Sequence, residues 1–210
     1  MRPLDTPQDL NHKVVEDLRY GLSAFLTANA LWILFSIPII TAPPALCALF
    51  YVTNTICHDK PTNWGTFIEG FRTYFGKSWL MAIMNIVIIG LLALNVTILI
   101  QFDIQLRSVL LGFYLVVLTL WLVLQIFAFP ILFELEKPQI ITAYRASFAL
   151  YFGNLPITLL ITLIILGIAA ISIYAWPAWL IINGSLITYF CNIGAVYLLK
   201  RSSKPSSPWD

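Results

Sequence analysis

The sequence predicts an all-α, polytopic membrane protein, and three observations carry that prediction. Four uncharged runs, residues 20–57, 78–102, 108–133 and 146–199, dominate the chain. Of its 210 residues, 60% are hydrophobic and 10% charged, with a mean hydropathy of +0.86. The basic residues can also be sorted almost wholly to one side of the runs. An ordinary globular chain carries roughly 25% charged residues. So sparse a charge cannot coat a surface with water, so most of this surface faces lipid. The net charge of +2 and the scattered lysines and arginines exclude a nucleic-acid partner.

A helix needs about 20 apolar residues to cross the hydrocarbon layer. The second and third runs hold 25 and 26 residues, one span each. The fourth holds 54 and breaks at Ala175-Trp176-Pro177-Ala178-Trp179. Pro177 opposes a continuous helix there, and the tryptophans suit a lipid–water boundary. The first run, of 38 residues, admits two readings. One crossing gives five spans and divides Lys and Arg eight to four. Two crossings, near 22–41 and 44–57, give six spans and leave Arg107 alone opposite eleven basic residues. The stronger bias favours six spans with both termini cytoplasmic. A turn at Pro43-Pro44, with Pro38 before it, then lies near the outer surface. The short second helix demands local thinning of the bilayer or tilted neighbours.

An amphipathic helix is predicted before each hairpin. Leu10, Val14, Leu18, Leu22 and Phe25 form one face, after a Thr6-Pro7-Gln8-Asp9 stretch resembling a capping box. In the second segment the face is Phe67, Ile68, Phe71, Tyr74 and Phe75. In the third it is Ile140, Ile141, Tyr144, Phe148, Tyr151 and Phe152, with Pro138 in the first turn. Leu18-Arg19, Phe71-Arg72 and Tyr144-Arg145 repeat an apolar residue followed by arginine. Such helices sink aromatic side chains into the headgroups while arginine reaches phosphate. Arg19, Phe71, Arg72, Tyr144 and Arg145 are therefore candidate interfacial anchors or docking residues. The expected organisation is a cytoplasmic amphipathic segment over 1–21 and one membrane domain over 22–199, with in-plane helices near 64–77 and 137–153. A disordered cytoplasmic tail follows over 200–210. The mixed charges of the first 21 residues do not read as a cleavable signal.

Residues able to carry chemistry are few. Cys47, Cys57 and Cys191 lie in apolar runs without CxxC spacing and read as buried free thiols. His12 and His58 have no metal-ligand spacing, and neither a cofactor nor an enzyme activity is expected. Cys57-His58-Asp59 has the residue types of a catalytic trio, but adjacent side chains rarely aim at one atom. The predicted span cores lack ionisable residues, which counts against a proton-coupled pump. Their polar set is Asn29, Asn85, Asn95, Gln125, Asn183 and Asn192. A neutral amide at depth usually bonds a neighbouring helix, contributing about 1 kcal/mol; the sharper reading is a shared polar cavity. Gly184, Thr188, Cys191 and Ala195 form a small-residue stripe that admits a close helix, internal or foreign. Lys200, Arg201 and Lys204 read as a topological anchor.

"NALWILFSIPIITAPPALCALFYV" followed by "TFIEGFRTYFGKSW" resembles the YesL-type family of bacterial membrane proteins. Asn29, Leu31, Trp32, Pro38, Thr41, Ala48, Leu49, Phe67 and Phe75 occupy its pattern of a span, a Pro-x-x-Thr turn, an Ala-Leu helix and a Phe-rich helix. "QIFAFPILFE" and "AYRASFALYFGNLP" are similar to its second half. Ala42-Pro43-Pro44 departs from the glycine common after the threonine. The resemblance implies a bacterial cytoplasmic (inner) membrane protein, from a family often encoded near carbohydrate import and degradation systems; it implies no particular reaction. The expected function is a non-enzymatic accessory protein of a carbohydrate uptake or cell-envelope system, whose partners are the lipid bilayer and a membrane protein or a second copy. The alternative is a small oligomeric transporter or pore for a neutral solute.

Overall fold

The computed structural model describes residues 7–101, 106–174 and 182–203, and every regular element among them is helical. The helices are α1 (Pro7–Tyr20), α2 (Leu22–Ser36), α3 (Ala42–Cys57), α4 (Trp64–Thr73), α5 (Phe75–Gln101), α6 (Arg107–Glu134), α7 (Ile140–Gly153), α8 (Leu155–Tyr174) and α9 (Asn183–Ser203). A shorter helix precedes two longer ones in α4–α6 and again in α7–α9, whereas α1, α2 and α3 are nearly equal at 14, 15 and 16 residues. Among the described residues, three stretches are long and apolar enough to cross a membrane, Ile39–Cys57, Phe75–Gln101 and Arg107–Glu134. Counting each bent pair, α1 with α2 and α7 with α8, as one span brings the number to five. The bends are 71° and 107°.

The first apolar run reverses. Asn29 of α2 meets Ser185 of α9, while Phe25 meets Tyr189, so α2 and α9 run antiparallel. Ser23 and Ala24 at the start of α2 line one cavity with Ile56 and Asp59 at the end of α3, so α3 runs against α2 and hence with α9, to which Asn192 ties it at Phe50 and Thr53. The reversal falls at residues 37–41, ahead of the Pro43-Pro44 pair predicted to make it. Pro38 leads a 3-10 turn, Ile39–Thr41, and the Thr41 hydroxyl lies 2.5 Å from the Phe35 carbonyl and 2.8 Å from that of Pro38. Pro43 and Pro44 instead occupy the first turn of α3, where the missing N–H groups have no helical acceptor to lose.

Two other boundaries differ from the sequence prediction. The second short helix stops at Thr73, and Phe75–Lys77 belong to α5. The third begins at Ile140 with Gln139 as its cap, so Pro138 precedes the helix instead of opening it. α9 continues through Lys200 and Arg201 to Ser203, and the tail prediction beyond it lies outside the described residues. So do Thr6 and the Ala175–Trp179 break.

Packing centres on α3 and α9. Ala45, Cys47, Ala48, Leu49, Cys57, Tyr189, Ala195 and Leu198 are inaccessible. All three cysteines are free and buried. α4 lies across the α2–α3 hairpin. Its start is fixed by a reciprocal cap in which the Asn63 side chain accepts from the Thr66 N–H and the Thr66 hydroxyl accepts from the Asn63 N–H. Phe67 and Phe71 pack on Phe35, and Gly70 admits Tyr51, whose ring would lie 2.7 Å from any added Cβ. Much of the α4 face predicted to enter the headgroups is thus spent on internal packing.

Candidate functional site

The polar side chains gather in three places. The first is the C-terminal end of α3. His58 caps the helix and Asp59 follows at φ +56°, a left-handed conformation that glycine normally supplies and Asp tolerates. The Asp59 N–H donates to Ile56 and the Lys60 N–H to Thr55, which closes the last turn. Asp59 also has a long-range task. Its carboxylate accepts from Lys13 of α1, whose ammonium lies 3.3 Å from Asp17. Asp17 in turn accepts from the Tyr189 hydroxyl at 2.8 Å. Lys13 is 5% exposed, and burial of a charge on this scale requires such partners. The cluster ties α1, α3 and α9 together.

On the other side of the same helix end, Glu134 accepts from the Asn54 amide at 2.7 Å, and its carboxylate lies 2.7 Å from His58 Nε2. Adjacent residues thus diverge. Cys57 is buried in the core, His58 turns to α6 and Asp59 turns to α1. The geometry gives them no common reacting atom. No group of three or more His, Cys, Asp or Glu among the described residues could hold a metal ion.

The second gathering lies between α5, α6 and α7. Trp121 Nε1 donates to Asn85 Oδ1 at 2.8 Å, and Asn85 Nδ2 reaches Gln125 Oε1 at 3.3 Å. The Tyr144 hydroxyl donates to the same Gln125 oxygen at 2.9 Å, while its ring stacks on Trp121 with centroids 5.2 Å apart. The structure therefore joins three predicted residues, Asn85, Gln125 and Tyr144. Sequence reasoning missed Trp121; its four-residue spacing from Gln125 was the available signal. Tyr144 acts here as an internal hydrogen-bond donor, not as an outward anchor.

The third gathering lies along α9. Asn192 is inaccessible and donates to the carbonyls of Phe50 and Thr188 and to the Thr53 hydroxyl. Asn29, equally buried, accepts from the Ser185 N–H at 3.0 Å. Gly184 allows this approach, because a Cβ there would lie 2.6 Å from Asn29 Oδ1 and 2.9 Å from Trp32. The small-residue stripe thus meets helices of the same chain. Asn183 begins α9 with a buried Oδ1 that has no partner among the described residues. Asn95 donates back to the Leu91 carbonyl of its own helix.

Arg19, Arg72 and Arg145 are exposed, and Arg19 lies over the Tyr20 ring. On α7 the predicted aromatic face divides. Ile140 and Tyr151 turn inward, whereas Ile141, Phe148 and Phe152 are exposed and share one stripe with Arg145. Two cavities open beside α2, of about 870 and 290 Å³, and neither is lined by the candidate amides.

Helices of this length and apolarity, joined by neutral amides and capped by charge at their ends, define a helical membrane protein. Residues 25–96, from α2 into α5, match the family described as "Protein of unknown function, DUF624". No curated protein and no solved structure matches the chain.

Proposed function

We propose that this chain is a non-enzymatic accessory protein of the bacterial inner membrane, of YesL type. It has six spans with both termini cytoplasmic and docks onto a carbohydrate uptake or cell-envelope system. The long helices pair as α2–α3, α5–α6 and α8–α9, and the eleven-to-one sorting of basic residues favours that topology. The 107° bend between α7 and α8 suits a helix that lies in the membrane plane before its chain turns inward.

The observation that carries the docking role is the outward stripe of α7. Ile141, Phe148 and Phe152 are 71%, 54% and 40% exposed, with Arg145 among them. Aromatic residues and arginine are the side chains that anchor protein interfaces most often. Affinity purification in mild detergent from native expression tests this role. A membrane-protein partner should copurify with the wild type and be lost from Arg145→Glu and Phe148→Ser. Recovery of no partner, or of the same partner with both variants, defeats the proposal. The topology has its own test in a cysteine placed at Ala42 on a background without Cys47, Cys57 and Cys191. External labelling in intact cells is expected.

One observation favours the second reading, a small oligomeric transporter. Gln125 Nε2 and Asn192 Oδ1 are buried without hydrogen-bond partners among the described residues. On that reading, apolar replacement of Asn85, Gln125 and Asn192 abolishes solute uptake by reconstituted vesicles.

A further inference from the structure

The outward surface of α7 is divided lengthwise. The helical repeat sets Ile141, Phe148 and Phe152 on one side of Arg145, and Thr142, Ala149 and Gly153 on the other. All of them are exposed. One side is therefore a bulky apolar ridge, and the other is a groove of small side chains. At the end of that groove, nothing lies within 4 Å of a Cβ placed on Gly153. The opposite face, with Ala143, Ser147 and Leu150, is buried, and Tyr144 holds Gln125. The helix is thus fixed about its axis with this surface outward. Arg145 stands between ridge and groove and makes no ion pair among the described residues.

We propose that this surface receives one amphipathic helix of the membrane-protein partner, with a single Glu or Asp on its contact face. The inference rests on the docking role of α7 and supplies the chemistry of what docks there. The partner backbone lies close over Thr142, Ala149 and Gly153, where small side chains admit it. Its apolar side chains meet Phe148 and Phe152, and its carboxylate takes the fork of the Arg145 guanidinium. Two other occupants fit less well. A helix anchored by lipid carries its arginine at the border of the apolar face, where the stem reaches phosphate. Arg145 is instead central, with exposed residues on both flanks. A second copy offers no counter-charge. The exposed face of α7 holds no acid, so contact between two such faces brings cation towards cation.

The test places the photo-crosslinker p-benzoylphenylalanine at position 149 of the full chain under native expression, and the segment it captures is sequenced. The expected adduct is a peptide of another membrane protein, with a helical apolar repeat and an acid within it. Arg145→Glu should cut the adduct yield about tenfold, the size of one good charge contact. Changing the partner's acid to Arg should then restore it. Arg145→Lys keeps the charge but loses the fork, and should fall between. Both positions are exposed, so thermal unfolding of each variant should match the wild type. A lipid adduct, a peptide of this chain, a peptide without an acid, no adduct, or no rescue by the reversed pair would each overturn the proposal. A partner that copurifies as before, yet leaves lipid or an acid-free peptide on the crosslinker, defeats this inference alone. Absence of any copurifying partner defeats the docking role with it.

Discussion

α5 and α9 make opposite use of the membrane. α5 is 27 residues of nearly unbroken apolar sequence, yet 6% of its most apolar window is buried within the protein. α9 interleaves Asn183, Gly184, Ser185, Thr188 and Asn192, yet its residues from 191 to 198 are all buried. In water this ranking would be reversed. In lipid, apolar surface gains little by leaving its solvent, so packing, small side chains and amide hydrogen bonds decide which helix is central. The lesson is that the most polar span-like helix marks the core, and the most apolar one marks the rim.

Paired substitutions can break that comparison. The largest effect is expected at glycine. Gly184→Leu drives a side chain into Asn29 and Trp32 and should cost about 3 kcal/mol. Gly90→Leu on α5 meets nothing within 4 Å and should stay within about 0.5 kcal/mol. Thermal unfolding in one detergent, followed side by side, checks both, and equal losses would refute the contrast. Next comes Lys13→Met, which leaves Asp17 and Asp59 without their shared cation. A fully buried pair would lose more, but Asp59 is 44% exposed, so about 2 kcal/mol is expected. Chemical denaturation should detect it, and Asp59→Asn should reproduce part of the loss while tolerating the left-handed backbone.

Asn192→Leu should cost about 1 kcal/mol by removing the bonds to Phe50 and Thr53, whereas Asn95→Leu on α5 should cost nothing measurable. The smallest effect sharpens the picture further. Tyr144→Phe removes one hydrogen bond but keeps the stack on Trp121, for a loss of about 0.5 kcal/mol. Combined with Gln125→Leu it should lose less than the sum of the two single changes, because both touch one network.

The sequence made the helices legible and their facing obscure. Run lengths located α5 and α6 closely, and the sorting of lysine and arginine favoured a reversal in the first run. Thr41, five residues beyond the end of α2, supplies the hydrogen bonds of that reversal, and the adjacent prolines lie past it, inside the first turn of α3. On α7, counting aromatic residues could not separate Tyr151, which enters the core, from Phe148, which leaves it. Both are equally compatible with lipid, so periodicity had nothing to distinguish them. Asn85 and Gln125 stood out because amides are conspicuous at depth. Lys13 did not, because its value depends on Asp59, 46 positions away, and on α9 beyond that.

The contact between Asp17 and Tyr189 spans 172 positions of chain. At about 5–20 residues per second, a ribosome needs on the order of ten seconds or more to make the second partner after the first. Throughout that interval the amino-terminal helix has been synthesised but lacks the phenol that completes its anchorage. Until the last helix arrives, α1 is held at this cluster by the Lys13–Asp59 contact, made with a helix end only 46 positions away, and α9 completes an anchorage that α3 begins.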